Sequence, residues 1–174
     1  VHINADYPLN FKGILYFPKP KGVYEPVEPV VKLFYNSVFV ADNIKEVVPD
    51  FIPCLRGVLD CPELPLNVSR SFLQSDAYVR KVAAHIVKKV ADKLCALYNK
   101  DRAGFERIWG DIRPYIEYGC MRDEKFYERV KDVMLFKDTD GSFVTVSEYL
   151  DGATEGTVYY ASEGEKQGYY ISLY

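Results

Sequence analysis

The sequence predicts a mixed α/β (α+β) fold: a layered αβα sandwich with one long helix on a mixed sheet, then a helical connector, then the start of a second, smaller αβ unit. Three observations carry this. Strand patterns of period two crowd residues 1–60. One strong helical stripe follows, with Val79, Val82, Ala83, Ile86, Val87, Val90, Ala91, Leu94 and Tyr98 recurring every three or four residues over about 76–98. Shorter helical stripes and turn signals then lead into one more strand pattern near the end.

The elements follow in order. Val1, Ile3, Ala5 and Tyr7 alternate with polar neighbours, Pro8 to Asn10 turns the chain, and Phe11 to Phe17 (FKGILYF) is a second strand ended by Pro18. Pro18 to Pro29 holds four prolines and one glycine and is a loop. Val30 to Val40 returns to a strand pattern through Val31, Leu33 and Tyr35, broken at Asn36-Ser37. Ile44 to Ile52 is a candidate short helix with Pro49 near its start, and Leu55 to Asp60 (LRGVLD) is a short strand of the buried type. The long helix carries Lys81, Lys88 and Asp92 on its opposite, solvated face, and Asn99 is placed to stop it. Phe105, Ile108, Trp109 and Ile112 make a second stripe, which Pro114 ends or kinks, and Tyr118-Gly119 is a stop signal. Phe126, Val130, Val133 and Met134 make a third stripe, and Asp138 to Gly141 is a turn. Thr145 to Glu148 starts a capped short helix, and Thr157 to Ala161 (TVYYA) is a strand. The chain stops at Tyr174 inside another helical pattern, the ending expected of a chain cut from a longer one.

Composition narrows the function. Of 174 residues, 48% are hydrophobic, enough for a real core and against disorder. The 15 Tyr and 10 Phe read first as core rings and second as rings offered to a partner. A net charge of -3, from 22 basic and 25 acidic side chains, supplies no basic excess for nucleic acid or an acidic membrane. No apolar run approaches the ~20 residues that span a bilayer, and VHINADYPLN has no secretory pattern. Cys54, Cys61, Cys95 and Cys120 lack C-x-x-C spacing, so reduced, mostly packed thiols in a cytoplasmic protein are expected.

Most site chemistries fail on spacing. There is neither a G-x-x-x-x-G-K-[ST] nor a G-x-G-x-x-G phosphate loop. Of the two histidines, His85 lies among lysines on the long helix and reads as a surface residue. Asp138-Thr139-Asp140-Gly141 is no calcium loop, because Phe143 and Tyr149 fall where glycine and glutamate are needed. Asn67-Val68-Ser69 matches the glycosylation sequon by chance, no carboxylate pair suggests acid–base work, and no metal is expected.

One segment stands out. LPLNVSRSFLQ, residues 64–74, joins a strand to the long helix, so both its ends are expected to be rigid. Arg70 offers a planar, permanently charged fork suited to phosphate oxygens, with Asn67 and Gln74 near enough in sequence to orient it or a water. The plainer alternative has Asn67 or Ser69 capping a helix and Arg70 pairing with a surface carboxylate; chemistry alone favours it.

A resemblance shifts that balance. DYPLNFKGILYFPK (Asp6 to Lys19), LFYNSVFVADN (Leu33 to Asn43), CLRGVLDCPELPLNVSRSFLQ (Cys54 to Gln74), HIVKKVADKL (His85 to Leu94) and VYYASE (Val158 to Glu163) resemble, in order and spacing, the middle segment of the ninety-kilodalton heat-shock chaperone family, HtpG type. The similarity covers nearly the whole chain. It implies an ATP-dependent chaperone in which a GHKL-type N-terminal domain, missing here, holds ATP and magnesium. The middle segment then docks and supplies a catalytic-loop arginine to the γ-phosphate; Arg70 occupies that place, with Asn67 and Gln74 at the loop positions associated with it. Arginine fingers are worth roughly 10³–10⁵ in rate in nucleotide hydrolases, and less is expected of this slow family. Ser71 replaces the usual glutamate after the arginine, and Cys61 stands where serine is usual; the first removes one partner for a resting Arg70.

The implied organisation is a larger αβα subdomain over 1–99 with the catalytic loop 64–74, a helical connector over 100–135, and the beginning of a small αβ subdomain over 136–174. The implied partners are client proteins, the chain's own N-terminal ATPase domain, and a second copy joined through a C-terminal domain missing here, with no nucleic acid and no membrane. The segment alone is then not an enzyme and holds no cofactor. Two rivals remain: an autonomous protein-binding module without ATP coupling, and a separate enzyme using Cys54 or Cys61, which would need a low thiol pKa.

Overall fold

Two hairpins stitched together by a fifth strand form the sheet. The computed structural model describes residues 1–6, 8–18, 30–42, 47–48, 55–63, 77–151, 156–161 and 164–172. The strands are β1 (His2–Ala5), β2 (Phe11–Tyr16), β3 (Val30–Tyr35), β4 (Val38–Ala41) and β5 (Arg56–Asp60), in the order β1-β2-β5-β3-β4. β5 runs antiparallel to β2 and parallel to β3, so the sheet is mixed, as expected.

Register sorts the side chains. Ile3, Ala5, Phe11, Leu15, Val31, Leu33 and Leu59 share one face and are buried. On that face Leu15 stands opposite Gly57 and Leu59 opposite Gly13, so each leucine fills the room a glycine leaves. A Cβ on Gly57 would collide with the Ile14 carbonyl oxygen, and its φ of 150° already disfavours other residues. The other face differs from expectation. Val58 is 41% exposed, beside Ile14 at 54% and Tyr16 at 52%, so β5 is central in the sheet yet not of the buried type. Hydrogen bonding buries its backbone; only one of its faces meets a described helix.

That helix is α1 (Ala77–Lys100), whose buried stripe of Val79, Val82, Ile86, Val87, Val90, Ala91 and Leu94 follows the sequence reading. Burying a valine, isoleucine or leucine of this stripe contributes about 1.5–3 kcal/mol each. The His85 ring meets Phe11 edge to face at 5.5 Å, which fixes α1 to the buried side of β2. His85 is therefore half-buried and not a surface residue; its neighbours in sequence are lysines, but its neighbour in space is a core ring.

Asp101 ends α1 and caps α2 (Arg102–Arg122), accepting from the Gly104 N–H at 2.8 Å. Tyr98 meets Phe105 edge to face at 5.7 Å and Phe105 meets Trp109 at a tilt at 5.4 Å through this corner, with the Arg102 guanidinium over Tyr98. Pro114 does not end α2, and Gly119 does not stop it. Pro114 deprives the Gly110 carbonyl of its helical partner, but both residues are exposed, so that loss falls on the wet face. Ile112 and Ile116, one turn apart on either side of the proline, are both buried and hold the helix together. Ile108, placed in the apolar stripe by spacing, is 38% exposed. Asp123 then caps α3 (Glu124–Val130) by accepting from Phe126 at 2.8 Å.

Residues 1–130 form one compact unit, and residues 131–174 a second. The second opens with a 3-10 turn over Lys131–Val133 and a small hairpin, β6 (Phe136–Lys137) and β7 (Phe143–Val144). Asp138 to Gly141 turns this hairpin: the Ser142 N–H bonds the Asp138 carboxylate at 2.8 Å, and Gly141 has a φ of 82°. Thr145 and Glu148 exchange side-chain-to-backbone bonds of 2.7 and 3.1 Å, a capping box that starts α4 (Val146–Asp151). The expected strand at Thr157–Ala161 is absent; those residues are exposed and join no sheet. The chain's last helix is α5 (Gly164–Ile171). The candidate helix at 44–52 lies outside the described residues except for Val47 and Val48, which form a turn.

Candidate functional site

Arg70, Asn67 and Gln74 lie outside the described residues, as does the whole of 64–74. Both roots of that loop are described, and each is held in several ways.

The upstream root leaves the centre of the sheet. The ladder runs one residue past β5, with the Cys61 N–H donating to the Phe34 carbonyl at 3.0 Å, and Cys61 itself is fully buried. The preceding Asp60 carboxylate accepts from the Ser37 N–H at 3.2 and 3.3 Å and from its hydroxyl at 3.4 Å. Those bonds steady an unusual turn. Asn36 and Ser37 both have positive φ, 48° and 66°, as a two-residue hairpin of matching twist requires. Ser37 takes that conformation without being glycine, and the Asp60 bonds offset its strain. Glu63, the last described residue before the loop, accepts from the Asn10 side-chain amide at 3.2 Å.

The downstream root is the first turn of α1. The Tyr78 hydroxyl donates to the Leu9 carbonyl, the residue beside Asn10. Val79, next along, is buried. Burial pushes the Tyr78 hydroxyl up to about 12, with Cys61 and Glu63 adding to the shift. It stays a protonated donor throughout the neutral range.

A concavity of about 280 Å³ opens at the upstream root, lined in part by Asn10, Lys12, Asn36, Ser37, Asp60 and Pro62. Its charged lining is two carboxylates, Asp6 and Asp60, against one amine, Lys12. It is too small and too acidic for a triphosphate. Among them no group of three His, Cys, Asp or Glu side chains is placed to hold a metal ion, and no helix is long and apolar enough to cross a membrane.

Sequence reasoning singled out 64–74, which lies outside the described residues, and missed the bonds at its roots. The left-handed Asn10 and Asn36 were foreshadowed by the P-L-N and N-S turns. Nothing in the sequence pairs Asn10 with Glu63, Leu9 with Tyr78, or Ser37 with Asp60.

The family model described as Hsp90 protein matches residues 1–172. The chain belongs to the Hsp90 family. Among the relatives of this Hsp90 chain are proteins named Chaperone protein HtpG from Porphyromonas gingivalis, 46% identical over 98% of the chain, and from Bacteroides thetaiotaomicron, 42% identical over 100%. A more distant HtpG, from Geobacter sulfurreducens, is 30% identical over 90%. The chain spans about a quarter of the length of the curated relatives it matches, 26% and 25% in the first two cases. Within this HtpG-type Hsp90 chain the separate thiol-enzyme reading fails at Cys61. Burial and the Asp60 charge push its thiol up to about 12, the opposite of an activated nucleophile. Cys61 is buried, Cys95 bonds the Arg129 carbonyl through its sulfur at 3.2 Å, and Cys54 lies outside the described residues.

Proposed function

We propose that this chain is the middle segment of an ATP-dependent chaperone and that its loop 64–74 carries Arg70 to the γ-phosphate of ATP held by a separate N-terminal domain. The observation that carries the reading is the anchoring of both loop roots, one by the centre of the sheet and one by α1. A cation that must arrive at a fixed point on another domain needs such a base. The Hsp90 family membership supports an ATP site elsewhere in the full-length protein.

When bound, ATP with its magnesium supplies the phosphoryl group to be hydrolysed. The chain's own part is electrostatic. Arg70 donates N–H bonds from a planar fork to phosphate oxygens and offsets the charge that gathers there in the transition state. Asn67 and Gln74 orient that fork or the attacking water. Docking of the segment onto the N-terminal domain limits the rate, so turnover is slow.

The exposed apolar sheet face of Ile14, Tyr16 and Val58 supports a second role, contact with client proteins in the cytoplasm. The full-length protein acts as a dimer through a C-terminal domain. The same face is the feature that favours the alternative, a binding module without ATP coupling. Client binding that ignores nucleotide in the full-length protein would favour that alternative.

The deciding experiment compares steady-state ATP hydrolysis by the full-length protein with that of Arg70→Ala, with ATP affinity measured alongside. Turnover is expected to fall about tenfold or more, ~1.4 kcal/mol of transition-state stabilisation, while ATP still binds. Unchanged turnover would leave the loop a structural cap and sink the mechanism.

A further inference from the structure

We propose that the turn between β1 and β2 is a clamp on the loop carrying Arg70, and that Tyr78 and Asn10 are positioning residues for ATP hydrolysis; this rests on the reading of Arg70 above. The two bonds that close the clamp come from opposite ends of the loop. Glu63, just before it, is held by the Asn10 side chain, and Tyr78, four residues after it, by the Leu9 carbonyl. Leu9 and Asn10 are consecutive, with Cα atoms ~3.8 Å apart, so both bonds converge on one turn at the edge of the sheet.

The clamp is built to be stiff. Leu9 and Asn10 both donate their backbone N–H groups to the Asp6 carbonyl, at 3.2 and 3.4 Å. Asn10 takes a φ of 36°, a left-handed conformation that asparagine tolerates better than most residues. The turn flanks β1 and β2, whose Ala5 and Phe11 are buried and paired with each other. Tyr78 is half-buried and sits in the first turn of a 24-residue helix. Of the two bonds, that of Tyr78 is the stronger anchor, because the Asn10–Glu63 bond is exposed and competes with water.

The consequence is geometric. With Glu63 and Tyr78 both bonded to one turn, the two cannot move apart without breaking a bond. Misplacement by ~1 Å of a group that must meet a transition state costs on the order of 10²-fold in rate. Tyr78 and Asn10 touch no substrate; they act through the placement of Arg70.

The test uses the full-length protein and a cycle of variants. Tyr78→Phe removes only the hydroxyl. Asn10→Gly removes the amide and keeps the left-handed backbone available. ATP turnover, ATP affinity and thermal midpoint are measured for each, alone and combined with Arg70→Ala. The expected result is a fall in kcat of about tenfold for Tyr78→Phe and about threefold for Asn10→Gly, with ATP affinity unchanged. Both falls should vanish when Arg70 is already alanine, which a merely structural role would not produce. If both variants keep wild-type kcat, or lower it equally with and without Arg70, the clamp is overturned while the role of Arg70 stands. If Arg70→Ala itself leaves kcat unchanged, the reading beneath the clamp fails and the clamp with it. Should Tyr78→Phe fold poorly, Asn10→Gly still decides.

Discussion

His85 illustrates how a single side chain departs from its local sequence. Its Nε2 atom is buried and makes no hydrogen bond, and its ring lies against Phe11. Burial, then Lys89 and Lys88, lower its pKa from the ordinary 6.5, with Asp92 opposing. The folded protein thus binds the proton less well than the unfolded chain. Stability is fully present above pH 6.5 and falls as pH drops below it, until the folded-state pKa is passed. Urea midpoints measured between pH 7.5 and 5 should decline for the wild type and decline less for His85→Leu; equal slopes would show that His85 is not the titrating group. The lysines were legible in the sequence; Phe11 was not, because only the pairing of β2 with α1 brings it there. The same holds for Ser37 and Asp60, and for Tyr78 and Leu9. Local pattern names the turn residues and the helix face, while long-range partners emerge only once the strands are in register.

At the scale of elements, period and spacing predicted α1 and the strand patterns well and misjudged the breakers. Pro114 sits in the interior of α2, yet Ile112 and Ile116 keep the helix continuous around it. Because the proline is exposed, its side chain contributes no core packing. Pro114→Ala should therefore restore a backbone hydrogen bond and stabilise the fold, by about 1–3 kcal/mol, read as a higher urea midpoint without a change in slope. A lower midpoint would mean that α2 needs the bend. The opposite error occurred at Thr157–Ala161. Its β-branched and aromatic residues fit a strand, but strand propensity is expressed only beside a partner, and the described residues supply none. Of the short β6–β7 hairpin only the turn at Asp138–Gly141 was legible, since two residues a side are too few for a period.

Across the whole molecule the apolar burial is uneven. The first unit holds the sheet face, the α1 stripe and the large rings Phe105, Trp109 and Phe126. In the second, the described buried residues are Val133, Leu135 and Thr145. Amide exchange should follow that division, with β2, β5 and α1 the slowest and α4 and α5 opening at lower free energy. Uniform protection across both units would contradict it. The mixed α/β character was legible from the order of patterns, whereas the candidate site was legible only as a loop of suitable residues between two elements. Its supports depend on strand order, and strand order also governs assembly. β1–β2 and β3–β4 are local hairpins that close early, but neither touches the other until β5, made later, slides between them. The arginine-bearing loop emerges directly after β5. In a half-folded chain the β1–β2 turn can be ready while the segment that should meet it is not yet held by the sheet, so Glu63 reaches Asn10 only with the last stitch.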